Sequence, residues 1–159
     1  MKRKIKLTTI QTDYNGKSIF ERVADELLIN ETFSELDESG KIESILYAEI
    51  KESERDCTVT YEEMSEGMDG VNTEMKFKKD APQEISISRT GALEAFMYFE
   101  EGKRHICVYN TGIMPFEICI YSKRVDNRLL SDGVLEIEYI IEIKGACAQK
   151  TVFKMEIEK

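Results

Sequence analysis

Val71-Asn72-Thr73-Glu74-Met75-Lys76-Phe77-Lys78, followed after a polar break by Ile85-Ser86-Ile87-Ser88-Arg89, is written with a period of two. Val71, Thr73, Met75 and Phe77 fall on one face of an extended chain, with Asn72, Glu74, Lys76 and Lys78 on the other. Such alternation describes a strand with one buried face, because successive β side chains point to opposite sides. Pro82 cannot donate to a ladder and separates the two runs. Ile85, Ile87 and Arg89 then share a face, with Ser86, Ser88 and Thr90 opposite.

The same rhythm extends in both directions. Towards the N-terminus, Ile5, Leu7 and Thr9 alternate with lysines and threonine until the turn signal Tyr14-Asn15-Gly16. Ile42 to Lys51 reads as a strand with Ile45 and Tyr47 on one face and Leu46, Ala48 and Ile50 on the other. Cys57, Val59 and Tyr61 make the next run, and Glu66-Gly67-Met68-Asp69-Gly70 turns into Val71. Towards the C-terminus, Leu93 to Glu100 and Lys103 to Asn110 flank Glu101-Gly102, a tight hairpin signal. Phe116 to Tyr121, Val134 to Ile143 and Ala148 to Ile157 complete about ten strands. This predicts a mostly β chain, a single antiparallel sheet closed into a barrel, over residues 1–159 as one domain.

One segment breaks the rhythm. Ser18-Ile19-Phe20-Glu21 is a capping box, and Phe20, Val23, Ala24, Leu27 and Leu28 recur at helical spacing. These residues predict one short helix near the N-terminus, over 19–29, followed by an acidic connector over 30–41. The helix reads either as a plug for one end of the barrel or as an acidic docking element.

The composition narrows the function. A chain of 159 residues, 42% hydrophobic and 33% charged, matches an ordinary water-soluble globule. No stretch is long and apolar enough for a membrane-spanning helix, and Met1-Lys2-Arg3-Lys4-Ile5-Lys6 leads into no signal-peptide core. The expected compartment is the cytoplasm, with Cys57, Cys107, Cys119 and Cys147 as reduced thiols serving as small hydrophobes. A net charge of −9 disfavours nucleic acid and anionic membranes as partners. The charge is uneven. Residues 18–66 carry four basic and fifteen acidic side chains, whereas 76–128 carry nine and seven, which leaves room for a local anion site in the second half.

Catalytic signatures are absent. One histidine excludes His-rich metal sites, no Cys-x-x-Cys occurs, and the phosphate-loop, dinucleotide and nucleophile-elbow patterns are missing. No metal and no cofactor are expected. The informative cluster runs from Arg89 to Tyr109. Continuing the phase of Ile85 and Ile87 carries Arg89 inward, at least half buried, where a guanidinium needs a carboxylate or a bound anion. Glu62, Glu94 and Glu117 are the candidate carboxylates. A two-residue turn at Glu101-Gly102 would pair Glu100 with Lys103 and Tyr98 with His105. That places Phe96, Tyr98, His105, Cys107 and Tyr109 on one face and Met97, Phe99, Ile106 and Val108 on the other.

Five motifs in order also carry a family resemblance: Tyr61-Glu62-Glu63, Glu66-Gly67-Met68-Asp69-Gly70, Ile87-Ser88-Arg89-Thr90-Gly91, Phe99-Glu100-Glu101-Gly102-Lys103-Arg104-His105 and Tyr109-Asn110-Thr111. With the late Gly133-Val134-Leu135-Glu136-Ile137-Glu138-Tyr139, the chain resembles the YwiB-like bacterial proteins of unknown function. The resemblance implies a calycin-type, lipocalin-like barrel and implies no activity. Where that family usually reads Tyr-x-Thr-Pro-Tyr-Gly, this chain has Tyr109-Asn110-Thr111-Gly112-Ile113-Met114-Pro115, and the stretch after Gly16 looks like an elaborated loop.

Three functions compete. The first is a binding module for a small anionic or amphipathic ligand, with Arg89, His105, Tyr109, Tyr61, Tyr98 and Glu62 as candidate ligand-binding residues. The second is a metal-independent barrel enzyme, similar to lyases or decarboxylases that use tyrosine, arginine and glutamate. In it Arg89 would hold a substrate carboxylate, and Glu62 or His105 would move the proton. The third is a protein-interaction module built on residues 18–40.

Overall fold

The computed structural model describes residues 1–13, 40–63, 70–110 and 115–158. Alternation becomes ten strands: β1 (Lys2–Asp13), β2 (Gly40–Glu52), β3 (Asp56–Glu62), β4 (Val71–Lys78), β5 (Ala81–Gly91), β6 (Ala95–Glu100), β7 (Arg104–Asn110), β8 (Pro115–Arg128), β9 (Val134–Ile143) and β10 (Ala146–Ile157). In β4, burial alternates residue by residue along the whole strand.

All ten strands form one antiparallel sheet in the order β6-β5-β4-β3-β2-β1-β10-β9-β8-β7. Each neighbour is next in sequence except for β1 and β10, which pair from Ile5↔Ile157 to Asp13↔Gln149. A meander whose first and last strands pair curls into a barrel. Ile5, Val59, Met75, Ile85, Ile120 and Leu135, all fully buried, line the inside. Pro82 sits in the opening residues of β5, where the sheet tolerates a missing donor.

The circle is nearly closed, and its seam lies between β6 and β7. No ladder joins these two strands; the backbones of Glu94 and Asn110 exchange two hydrogen bonds of 2.8 Å at one end. At the other end β8 outruns β7 and seals the gap. Beyond Tyr121, the last β8 residue paired with β7, Ser122 accepts from the N–H of Gly102 at 2.8 Å and donates to the carbonyl of Lys103 at 3.1 Å. The N–H of Val125 donates to the Glu101 carboxylate at 3.1 Å, and that of Asn127 to Gln83 Oε1 at 3.0 Å. Asn127 Nδ2 then donates to the Pro82 carbonyl at 2.7 Å, and its Oδ1 accepts from the Leu129 N–H at 3.1 Å. Side-chain carboxylate and amide groups thus do the work of a missing strand backbone.

This geometry corrects the predicted hairpin. The Glu94–Asn110 pair sets the register one residue away from the predicted Tyr98–His105 pairing, and a one-residue slip reverses a strand's faces. Met97 and Phe99 are buried together with Cys107 and Tyr109, whereas Phe96, Ile106 and Val108 are 57%, 68% and 51% exposed. The turn closes through Lys103 N–H to the Glu100 carbonyl at 3.0 Å, with Gly102 at φ +79°.

A single-turn helix, α1 (Leu129–Asp132), follows β8 and buries Leu129. Gly133 ends it in the left-handed region, its N–H bonded to the Leu129 carbonyl at 3.1 Å. Four residues are too few to produce helical periodicity, so this helix in the C-terminal half is not visible in the sequence. The predicted helix over 19–29 lies outside the described residues, as does 30–39 of the predicted connector; Gly40 and Lys41 open β2. No described helix is long and apolar enough to cross a membrane. All four cysteines are free, and burial pushes the Cys107 thiol up to about 11.

Because Asn127 replaces strand pairing at the seam, Asn127→Ala is expected to cost about 2 kcal/mol, leaving the Pro82 carbonyl without its donor. Ser131→Ala on the exposed part of α1 should stay within about 0.5 kcal/mol. Equal urea midpoints for the two variants would remove Asn127 from the closure.

Candidate functional site

Pairing across β3, β4, β5 and β6 places Tyr61 opposite Thr73, Thr73 opposite Arg89, and Arg89 opposite Ala95. This row faces the barrel interior near the end from which β3, β5, β7 and β9 run out into their turns. Glu63 extends the inward phase of Val59 and Tyr61 one step beyond β3, fixed by its N–H on the Val71 carbonyl at 2.8 Å. Just above Arg89, Gly91 adopts φ +107°, and a Cβ there would lie 2.0 Å from the Gly70 carbonyl oxygen. Only glycine lets the β4–β5 pair run this close to its end. On the facing wall, Ser122, Tyr139 and Thr151 form a second inward row.

Arg89 is the centre of the cluster, its side chain 20% exposed. Its Nε lies 3.5 Å from Glu63 Oε1 and makes no hydrogen bond. Glu63 Oε1 instead accepts from Thr73 Oγ1 at 2.7 Å. The Tyr109 hydroxyl stands beside the guanidinium and 3.6 Å from the sulfur of Met97. The Tyr139 ring packs on Phe99 with centroids 4.9 Å apart.

Burial disfavours the charge on Arg89, but Tyr109, Tyr139, Tyr61 and Glu63 more than offset it, so the guanidinium is held above its ordinary value. Burial also raises all three phenols. Glu63 adds to the rise at Tyr61, and Arg89 partly opposes it at Tyr109 and Tyr139. At neutral pH the cluster therefore presents one guanidinium and three protonated phenols against one carboxylate. It is rich in donors.

Of the six sequence candidates, the fold brings together Arg89, Tyr61 and Tyr109. Glu62 points outward and is exposed, as are Glu94 and Glu117; the carboxylate near Arg89 belongs to Glu63, the next residue. Tyr98 lies in the outward phase of β6 and meets the His105 ring edge-on, centroids 4.7 Å apart. His105 Nε2 is 3.8 Å from Glu100 Oε1 and makes no hydrogen bond. His105 sits four positions from Tyr109 on β7, about 13 Å at ordinary strand rise, so it does not converge with Arg89. Glu63, Thr73, Tyr139 and Thr151 were missed as site residues. Glu63 and Tyr139 both continue inward phases legible in the sequence, after Tyr61 and after Ile137. Among the described residues no group of His, Cys, Asp and Glu could hold a metal ion.

Two outcomes follow from the buried charges. Arg89→Met should destabilise the fold by about 3 kcal/mol or more, because Glu63 is left charged without its cation, and adding Glu63→Gln should recover part of the loss. A double variant no more stable than Arg89→Met alone would break this coupling. The phenols act at alkaline pH. Above about pH 10 unfolded tyrosines release protons that the folded cluster still holds, so stability falls as pH rises, by about 1.4 kcal/mol per unit for each of the three. Urea midpoints that stay flat from about pH 9 to about pH 11 would refute the burial of these hydroxyls.

Comparison with known proteins bears on the family and the fold. Residues 28–155 match the family described as "Domain of unknown function (DUF1934)". The crystal structure of ywiB protein from Bacillus subtilis is similar, with a TM-score of 0.63 over 99% of this chain and 94% of that chain, at 16% identity. That identity speaks for the fold alone. No curated protein matches the chain. With most of its length spanned by the family's pattern, the chain belongs to DUF1934, the YwiB-like family of unknown function.

Proposed function

We propose that the protein is a binding module, used in the manner of a calycin barrel, for a small anionic or amphipathic molecule whose acidic head reaches Arg89. The observation that carries this reading is a guanidinium inside the barrel whose Nε makes no hydrogen bond, surrounded by the phenols of Tyr61, Tyr109 and Tyr139. Arginine and protonated phenols are donors, and they match the acceptor oxygens of a carboxylate or similar acid. Met97, Phe99 and Cys107 are apolar core neighbours of this cluster, and the body of a ligand would have to displace or pack against them.

The alternative, a metal-independent lyase or decarboxylase, is supported less well. His105 stands away from Arg89, and phenols raised by burial make poor bases near neutral pH. The reading assumes a cytoplasmic protein with reduced thiols. Nucleic acid and anionic membranes are poor partners for a chain of net charge −9. A protein-docking role for 18–40 concerns residues outside the description, apart from Gly40.

Calorimetric titration with decanoate and with decanol tests the proposal. Decanoate should bind at least about tenfold more tightly, since a charge-assisted hydrogen bond contributes about 1.5–3 kcal/mol. Arg89→Met should abolish that preference while leaving any binding of the alcohol. Equal affinity for the two probes, or the same preference in Arg89→Met, would defeat the assignment of the head group to Arg89.

A further inference from the structure

Resting on the binding reading, a second property follows from the charges around Arg89. The site already contains a carboxylate. Glu63 is buried, its Oε1 lies 3.5 Å from Arg89 Nε, and its hydrogen bond comes from Thr73 rather than from the guanidinium. Arg89 and Glu63 together are neutral. An incoming carboxylate would place two negative charges against one positive charge in a site largely shielded from water.

Among the described residues the surroundings offer no second cation. The titratable groups of the described residues that face the pair are Tyr61 from β3, Tyr139 from β9, and Tyr109 and Cys107 from β7; β4 contributes Thr73, and β6 contributes Ala95 and Met97. Each of the four is an acid whose loss of a proton would add negative charge. Two like charges this close in a poorly solvated space cannot both persist, and the cheapest relief is for one of them to take up a proton.

We propose that Glu63 is a built-in competitor for Arg89, so that an acidic ligand binds together with one proton and Glu63 is carried neutral in the complex. Atoms and charge balance: free protein, ligand anion and one proton from solvent give a complex in which the guanidinium faces the ligand carboxylate. The Glu63 carboxyl, now an O–H donor as well as an acceptor, keeps its contact with Thr73 Oγ1. Binding of an acid is then tied to acidity. Affinity rises as pH falls, and release is favoured as pH rises, whereas a lone arginine site would be insensitive to pH near neutrality.

Calorimetry with decanoate tests this in two buffers of different ionisation heat at about pH 7.5. The expected result is uptake of about one proton per decanoate bound, with affinity weakening by up to about tenfold per unit from about pH 6 to about pH 8. Glu63→Gln, which keeps an oxygen for Thr73 but carries no charge, should bind at least about tenfold more tightly at about pH 8, without proton uptake and with a flat pH profile. His105→Asn removes the one histidine, and it should leave the uptake intact. Decanoate binding without proton uptake, or uptake lost in His105→Asn and kept in Glu63→Gln, would overturn the role of Glu63 while leaving the binding reading standing. Decanoate bound by neither the wild type nor Glu63→Gln would remove both.

Discussion

The pairing of β1 with β10 is the contact on which the rest of the structure depends. Nine register positions, from Ile5↔Ile157 to Asp13↔Gln149, join the two ends of a next-neighbour meander. Without them the chain is a ten-stranded ribbon whose apolar face has nothing to pack against. With them, every strand's inward row faces another row, and Ile5, Met155, Leu135 and Val59 share one interior. The contact is also the longest in sequence. Its loop-closure entropy must be met before the core rewards it.

Closure creates the space in which a charge can be held away from water. An interior of aliphatic side chains would be at least as stable as one containing an arginine and a glutamate, since buried ion pairs seldom recover their desolvation cost. Arg89 and Glu63 are therefore poorly explained by stability. Glu63 favours the Arg89 charge from 3.5 Å, but its hydrogen bond comes from Thr73 and not from the guanidinium.

Most of the fold was legible because each strand repeats one message. β4 and β9 could be bounded from alternation to within a residue. The second half of β8 was not legible. A register shift between Ser122 and Arg124 changes phase there, so the buried positions become Ser122, Val125 and Asn127, two of them polar. The β6–β7 register was misread because loop length was inferred from Glu101-Gly102 alone, and one residue decides which face is inside. At the site, phase found Arg89, Tyr61 and Tyr109 but passed over Glu63, which the same phase puts on Tyr61's side. What no local pattern could show is that Tyr139, fifty residues from Arg89, stands on the facing wall; that proximity is a property of the closed circle.

The seam between β6 and β7 gives the molecule an unusual mechanical character. A barrel with ladders all the way round has a fixed girth, because any expansion must break a row of backbone bonds. Here the wall is slit along one line, tied by the Glu94 and Asn110 backbones at one end and, at the other, by β8 N–H groups that donate to the side chains of Glu101 and Gln83. Phe96, Ile106 and Val108 flank that slit from outside, and the charges of Glu100, Lys103 and Arg104 border it and discourage a foreign strand from adding to the open edges. The two ends of the sheet's chain order, β1 and β10, are zipped together elsewhere on the circumference. Along this line the girth of the wall is set by ties at its two ends and by packed side chains, not by a backbone ladder.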